Sequence, residues 1–239
     1  MGAHIGVGVC TYNRPKHLDL FLSQIAKYNS TDKVPIFTDD SKERKGIAYR
    51  KNECLKELKD CDYIFLFDDD CLVLKEGWAE FFIEASKASG QQHFNYLHET
   101  PTIKFIKQAC YQKHPPKLPP VMFDICIREY NNCAGCMMFL TKEVIEKVGG
   151  YGEYGIYGME HAGYSQRINM AGLTPLGAYT CPAGAGEYIY SMDLDSHLPF
   201  NKQVNHEPSL KNELGNIRQY VSEGRKFYEK DLQQIYKPL

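Results

Sequence analysis

Phe65-Leu66-Phe67-Asp68-Asp69-Asp70 is an apolar strand that ends abruptly in three carboxylates. Three like charges at the end of a buried strand repel one another and call for a cation to offset them. Hard divalent ions such as Mg²⁺ or Mn²⁺ take oxygen ligands and leave positions open for substrate phosphates. The run therefore reads as a metal site that grips a diphosphate, or, more plainly, as a solvated acidic turn.

The surrounding sequence alternates strand and helix. Residues 3–10 are an apolar strand containing glycines, which allow close backbone approach. Pro15 opens a helix with Leu18, Phe21, Leu22 and Ile25 on one face. Val34–Thr38 reads as a second strand, Gly46–Leu58 as a helix and Tyr63–Phe67 as the third strand. Trp78, Phe81, Phe82 and Ala85 mark a further helix. This order predicts an α/β fold with a mostly parallel sheet and helices on both faces. Ligands of such sheets bind at the carboxyl ends of strands. Thr11–Arg14, Asp39–Ser41 and Asp68–Asp70 should therefore meet at one crevice. Beyond residue 92 the pattern changes. Residues 93–127 read as strands split by the proline-rich 114–120. Cys133–Leu140 reads as a strand, Thr141–Val148 and Glu160–Ala171 as helices, Glu187–Met192 as a strand, and the chain from about Leu210 as a charged helix. One domain over 1–239 is expected, with a first half at 1–92, a second at 93–209 and a C-terminal helix at 210–239.

Composition bounds the function. The chain has 239 residues, 43% hydrophobic and 24% charged, with a net charge of −2, so no global field attracts nucleic acid or an anionic membrane. The nine cysteines are scattered, mostly in apolar runs, and read as free thiols of a reduced, cytoplasmic protein rather than a disulfide framework. The start lacks signal-peptide character and no apolar segment is long enough to span a bilayer, so a soluble protein without membrane insertion is expected.

Four pieces in order, Val7-Gly-Val-Cys-Thr-Tyr-Asn-Arg-Pro15, Thr38-Asp-Asp-Ser41, Gly46-Ile-Ala-Tyr-Arg-Lys-Asn52 and Asp68–Asp70, resemble the opening of family 2 glycosyltransferases with the GT-A fold. A second block agrees: Asn132-Cys-Ala-Gly-Cys-Met-Met-Phe-Leu-Thr-Lys-Glu, Val148-Gly-Gly-Tyr, Tyr157-Gly-Met-Glu-His and Arg167 are similar to the acceptor half of the β-1,4-galactosyltransferase group. The resemblance covers residues 4–172. It implies a GT-A-like, Rossmann-like enzyme that moves a sugar from a nucleoside diphosphate donor, a UDP-sugar first, to an acceptor hydroxyl. The nucleoside would lie on Thr11, Tyr12, Asn13 and Arg14. Asp39 or Asp40 would meet the base or ribose, and Arg50 the diphosphate. Asp68 and Asp70 match the family's Asp-x-Asp motif, with Asp69 between them; Asp70 would hold Mn²⁺ or Mg²⁺ with help from Asp68. A third metal ligand is expected late in the chain, at His197 or His206. Gly135 would leave room for the donor sugar. Glu160-His161 stands where the family has Glu-Asp, so either residue is the base of an inverting displacement. Without a base, a retaining route or a nucleotide-sugar-binding protein without catalysis remains. A nucleotidyltransferase would want a glycine-rich phosphate loop, which Thr11–Pro15 is not.

Cys133-x-x-Cys136 lacks the second pair that zinc needs, and a redox pair should open a helix; packing is the plainer role. Two basic stretches bear on the acceptor. One carries Lys104, Lys107, Lys113 and Lys117 with Phe105 and Tyr111; the other carries Lys42, Arg44, Lys45, Arg50 and Lys51. Such stretches hold polyanions, and small anchorless enzymes of this fold that glycosylate hydroxymethylated pyrimidines resemble the chain in size and type, so DNA is one candidate acceptor. Saccharide or lipid-linked acceptors of surface polysaccharide are the rival, since basic strips are often only solvated faces.

Overall fold

The computed structural model describes residues 2–28, 34–111, 125–152 and 154–192, with 219, 222–223 and 225–226 beyond them. The charged C-terminal helix expected from Leu210 lies largely outside the described residues.

The acidic strand is central. The chain runs β1 (Ile5–Thr11), α1 (Pro15–Lys27), β2 (Ile36–Asp39), α2 (Ile47–Leu58), β3 (Tyr63–Asp68), β4 (Cys71–Val73), α3 (Trp78–Ser89) and β5 (His93–Asn95). It continues through β6 (Phe105–Tyr111), β7 (Ile125–Tyr130), β8 (Met137–Thr141), α4 (Lys142–Val148), α5 (Glu160–Met170), β9 (Thr180–Pro182) and β10 (Ile189–Ser191). The main sheet has the order β2-β1-β3-β8-β5. β1 pairs in parallel with both β2 and β3, while β8 runs antiparallel between β3 and β5. Four of its five strands therefore point one way, and the mostly parallel α/β sheet expected from the alternation is present. β5 and β8, which lie beyond residue 92, complete this sheet.

Strand alternation sorts the side chains onto two faces. Phe65 and Phe67 point to the α1 and α3 side, where Phe65 meets the Trp78 ring at 4.7 Å and Phe67 meets Phe21 at 5.0 Å. Ile64 and Leu66 point to the other side, against α2, α4 and α5 through Leu55, Val144 and Ile168. Burying one such aromatic side chain contributes about 1.5–3 kcal/mol. Helices thus cover both faces, as expected. A Cβ at Gly8 would lie 2.8 Å from the Cys54 Cβ, so glycine is what lets α2 settle against β1.

Three expectations need correction. The strand predicted over Cys133–Leu140 begins only at Met137, and Cys133–Cys136 form a loop at the sheet edge. The cysteines are not all free: Cys110 and Cys126, directly paired across β6 and β7, form a disulfide, while the other seven are free thiols. The short strands β4 and β9 were not anticipated. β4 pairs with β10, and β9 extends the antiparallel β6-β7 pair into a three-stranded sheet.

Candidate active site

The three loops that follow β1, β2 and β3 do meet. The Asp40 N–H donates to the Thr11 carbonyl (3.2 Å) and the Asp69 N–H to the Cys10 carbonyl (3.2 Å). The Asp68 N–H donates to the Cys136 carbonyl (2.9 Å), which ties the acidic loop to the 133–136 loop. Beside them opens a cavity of about 480 Å³, lined by Asp68 and Asp70, by Asn132–Cys136, and by Tyr157–Ala162 with Ile47.

The three aspartates divide where β3 ends at Asp68 and the chain turns through Asp69 and Asp70. Asp68 and Asp70 line the cavity. Asp69 turns inward, 2% exposed, and accepts from Thr11 Oγ1 (2.5 Å) and from Arg14 Nη1 (2.7 Å). Thr11, Arg14 and Asp69, all expected at the donor, thus form an internal strut that braces the loop. Arg14 Nη1 also lies 3.6 Å from Asp70 Oδ2.

The second cation at this loop is Lys51, which the sequence reading placed only in a basic stretch. It is fully buried on the inner face of α2, with its Nζ 2.7 Å from Asp68 Oδ1. Burial pushes its pKa down, but the Asp68 charge, with Cys10 and Glu160, outweighs burial and raises it, so the ammonium stays charged. The carboxylates at the end of β3 are therefore partly offset by the protein's own Arg14 and Lys51. Lys51 also contacts His161 Nε2. An ammonium has only donors, so Nε2 accepts; the proton sits on Nδ1, which lies 2.8 Å from Glu160 Oε1. Glu160 and His161 are each about 5% exposed at the N-terminus of α5. Glu160 Oε2 is buried and has no hydrogen-bond partner among the described residues. Burial pushes the Glu160 pKa up, yet His161 and Lys51 together bring it down to about 2. The result is one buried chain of polar groups, Glu160–His161–Lys51–Asp68, running along the cavity wall.

Gly135 lies in the loop before β8. A Cβ there would overlap the His161 imidazole, so its smallness makes room for that ring. Arg167 fixes α5 from below, donating to the Gly150 carbonyl (3.0 Å) and the Val148 carbonyl (2.9 Å). Asn52 locks α2 to the same segment through paired hydrogen bonds with the Tyr151 backbone, 2.7 and 3.0 Å.

The remaining expected residues fall in different places. Asn13 and Asp39 are exposed at the rim, where Asp39 accepts from the Ser41 N–H (2.9 Å). Tyr12 is buried, and its hydroxyl accepts from Arg44 Nε (2.8 Å). Asp40 is buried and binds the Lys45 N–H (2.8 Å), the Gly46 N–H (2.9 Å) and Arg50 Nε (3.0 Å). Arg50 also pairs with Glu53 (2.6 Å) and Glu43 (2.9 Å), so its whole fork is engaged away from the cavity lining. In the 42–51 stretch Arg50 and Lys51 are buried and Lys45 pairs with Glu43 at 2.9 Å, while Lys42 and Arg44 are exposed. In the other stretch Lys104 is exposed and Lys107 pairs with Glu129 (3.0 Å), while Lys113 and Lys117 lie outside the described residues. His197 and His206 also lie outside them. Cys133 and Cys136 are free thiols, Cys133 against Asn95 Oδ1 (3.2 Å), in keeping with packing.

No three His, Cys, Asp or Glu among the described residues are grouped to hold a metal ion. Two carboxylates on one cavity wall nevertheless suit Mg²⁺ or Mn²⁺, which commonly bind one or two carboxylates and complete their shell with substrate phosphates and water. Among the described residues no helix is long and apolar enough to cross a membrane.

No family model matches the chain, and none of the curated proteins matches it in sequence. Among solved structures it is similar to a mutant of the Drosophila β-1,4-galactosyltransferase 7 in complex with manganese, UDP-Gal and xylobiose, at 16% identity and a TM-score of 0.46, over 89% of this chain and 79% of that one. It is also similar to the Pyrobaculum calidifontis mannosyltransferase PcManGT in complex with GDP-Man and Mn²⁺, at 14% identity and a TM-score of 0.49, over 73% of this chain and about half (54%) of that one. A third likeness is to S. aureus TarS, at 10% identity and a TM-score of 0.48, over 95% of this chain and 72% of that one.

Proposed function

We propose that this chain is a metal-dependent, GT-A-like glycosyltransferase that moves a sugar from a nucleoside diphosphate donor, a UDP-sugar first, to an acceptor hydroxyl. The observation that carries the reading is one cavity lined both by the Asp68 and Asp70 carboxylates and by the buried Glu160, one of whose oxygens has no partner among the described residues. Asp70 and the second oxygen of Asp68 would hold Mn²⁺ or Mg²⁺, which when bound neutralises charge growing on the departing nucleoside diphosphate. Met192 donates its N–H to the Asp70 carbonyl (3.0 Å), and His197 or His206 would supply a further metal ligand. Asn13 and Asp39, exposed at the rim, are the donor-binding residues of the first two loops.

Glu160, rather than His161, is assigned the acceptor. Both ring nitrogens of His161 are engaged inside the wall, whereas Glu160 Oε2 is a carboxylate oxygen awaiting a donor. It would accept the acceptor hydroxyl's hydrogen bond, orient its lone pair toward the sugar, and take the proton as the new bond forms. A low proton affinity delays that transfer until bond formation has acidified the hydroxyl. The outcome is a single inverting displacement.

The test is release of UDP from a panel of UDP-sugars with Mn²⁺, alone and with saccharide acceptors or hydroxymethylcytosine-containing DNA. Release stimulated by one acceptor class is the expected result and names that class. No release from any UDP- or GDP-sugar overturns the reading. Glu160→Gln should lower kcat about 10²-fold or more at saturating donor.

A further inference from the structure

The two carboxylates assigned to the divalent cation already have cations of their own. The Lys51 ammonium stands 2.7 Å from Asp68 Oδ1, and the Arg14 guanidinium stands 3.6 Å from Asp70 Oδ2. The two cations differ in kind. Arg14 is bound more closely to Asp69 (2.7 Å) than to Asp70 and braces the loop from within. Lys51 has no such second task on the loop. Its stem crosses from α2 through the interior, its side chain is fully buried, and its ammonium ends between Asp68 and His161. The Asp68 side chain, in contrast, is 22% exposed, with its second oxygen turned away from Lys51. A solvated lysine can swing aside when a metal arrives; one whose stem is packed cannot. Any divalent ion at Asp68 must therefore sit a few ångströms from a fixed positive charge, in a site where charges are weakly screened.

We propose that Lys51 is a positioning residue that keeps the divalent-cation site weak until a diphosphate donor is present, so that the metal is taken up together with the nucleotide. This rests on the reading of Asp68 and Asp70 as the metal-diphosphate wall. In the free protein, Lys51 already balances Asp68, and a second cation gains little. A diphosphate would add the negative charge that a divalent ion needs, and Asp68 and Asp70 would hold the ion there. The same ammonium holds His161 Nε2, and through His161 the Glu160 carboxylate. The cation that restrains the metal at Asp68 thereby also fixes Glu160, the acceptor-facing group, through His161.

The measurement is Mn²⁺ binding followed by electron paramagnetic resonance of the free ion, with and without UDP, on the full chain and three variants. Wild type should bind Mn²⁺ weakly alone and about tenfold or more tightly when UDP is present. Lys51→Met and Lys51→Gln should bind Mn²⁺ alone about tenfold or more tightly than wild type, because removing one unit charge a few ångströms from the ion is worth at least that factor. Lys51→Arg, which keeps the charge, should stay within about threefold of wild type. Gln guards against a Met variant that fails to fold, since its amide still hydrogen-bonds within the wall; circular dichroism reports folding of each. Neutral variants that bind Mn²⁺ no more tightly than wild type overturn the proposal while leaving the metal wall in place. Should both neutral variants unfold, the wild-type comparison decides alone: equal Mn²⁺ affinity with and without UDP overturns it. Absence of Mn²⁺ binding by wild type even with UDP removes the metal-diphosphate reading, and this proposal with it.

Discussion

Acid should loosen this protein through one buried histidine that seats the helix carrying Glu160. His93 lies on β5, fully buried, with Nδ1 2.9 Å from the Phe139 carbonyl and Nε2 2.8 Å from Ser165 Oγ on α5. A carbonyl only accepts, so Nδ1 carries the proton and Nε2 accepts from Ser165. Burial, aided by the nearby His161, holds the His93 pKa down at about 4 against an ordinary 6.5. The sign follows from proton counting. Between 6.5 and 4 the unfolded chain binds a proton that the folded chain refuses, so stability falls as pH falls through that window. The contribution is fully present above 6.5 and fully lost below about 4. A gap of about 2.5 pH units at about 1.4 kcal/mol each gives about 3.5 kcal/mol in full, of which about 3 kcal/mol is lost by pH 4, a large share of a domain's net stability.

Urea unfolding of wild type and His93→Gln, from pH 7.5 to 4, reads this directly. Every other titrating group is common to both proteins. The stability difference between them should therefore shift by about 3 kcal/mol against wild type over the window, whatever its value at pH 7.5. A nuclear magnetic resonance titration of the His93 ring in the native protein should give a midpoint near 4. Parallel stability curves, or a native midpoint near 6.5, would refute the reasoning and with it the buried His93–Ser165 contact that seats α5.

Other expected outcomes concern the site and the cysteines. Asp69→Asn removes the buried partner of Arg14 and should cost about 3–5 kcal/mol in chemical denaturation, whereas Asp70→Asn should cost less than about 1 kcal/mol yet abolish Mn²⁺-dependent UDP release; equal destabilisation by the two would contradict the inward and outward division of the loop. Gly135→Ala places a methyl group against the His161 ring and should lower turnover at least as much as His161→Asn, with little loss of stability; full activity would show that the ring is not fixed there. Alkylation of the denatured protein should label seven cysteines without reductant and nine with it; nine in both conditions would remove the Cys110–Cys126 bond.

The elements that position the site were legible because their signals are local. Phe65, Leu66 and Phe67 are apolar on both faces of one strand, which only a doubly covered sheet accommodates, and the helices α1, α2 and α3 show their stripes within a dozen residues. The details at the cavity were harder because they depend on residues far apart in the chain. Cys133–Cys136 continue an apolar run and read as strand, but Gly135 must clear the imidazole of His161 on a helix well downstream, and that close approach goes with a loop. β4 and β9 hold three residues each, too few for a period to show.

One further feature was present in the pattern and needed only a stricter application of it. On α2 the buried positions Ala48, Lys51, Leu55 and Leu58 follow a helical period, so Lys51 belongs to the inner face; the expectation that a lysine seeks water concealed it. On the acidic loop, Arg14, just beyond the end of β1, is the cation that holds Asp69 inward while Asp68 and Asp70 line the cavity. Both lead to the same physical point. Three carboxylates at a strand end do demand positive charge, but a protein can supply part of it from within. Here Arg14 takes Asp69 and Lys51 takes one oxygen of Asp68, leaving a deficit on the cavity side, where a diphosphate and its metal would meet it. A charge cluster therefore identifies its ligand only after its internal partners have been subtracted.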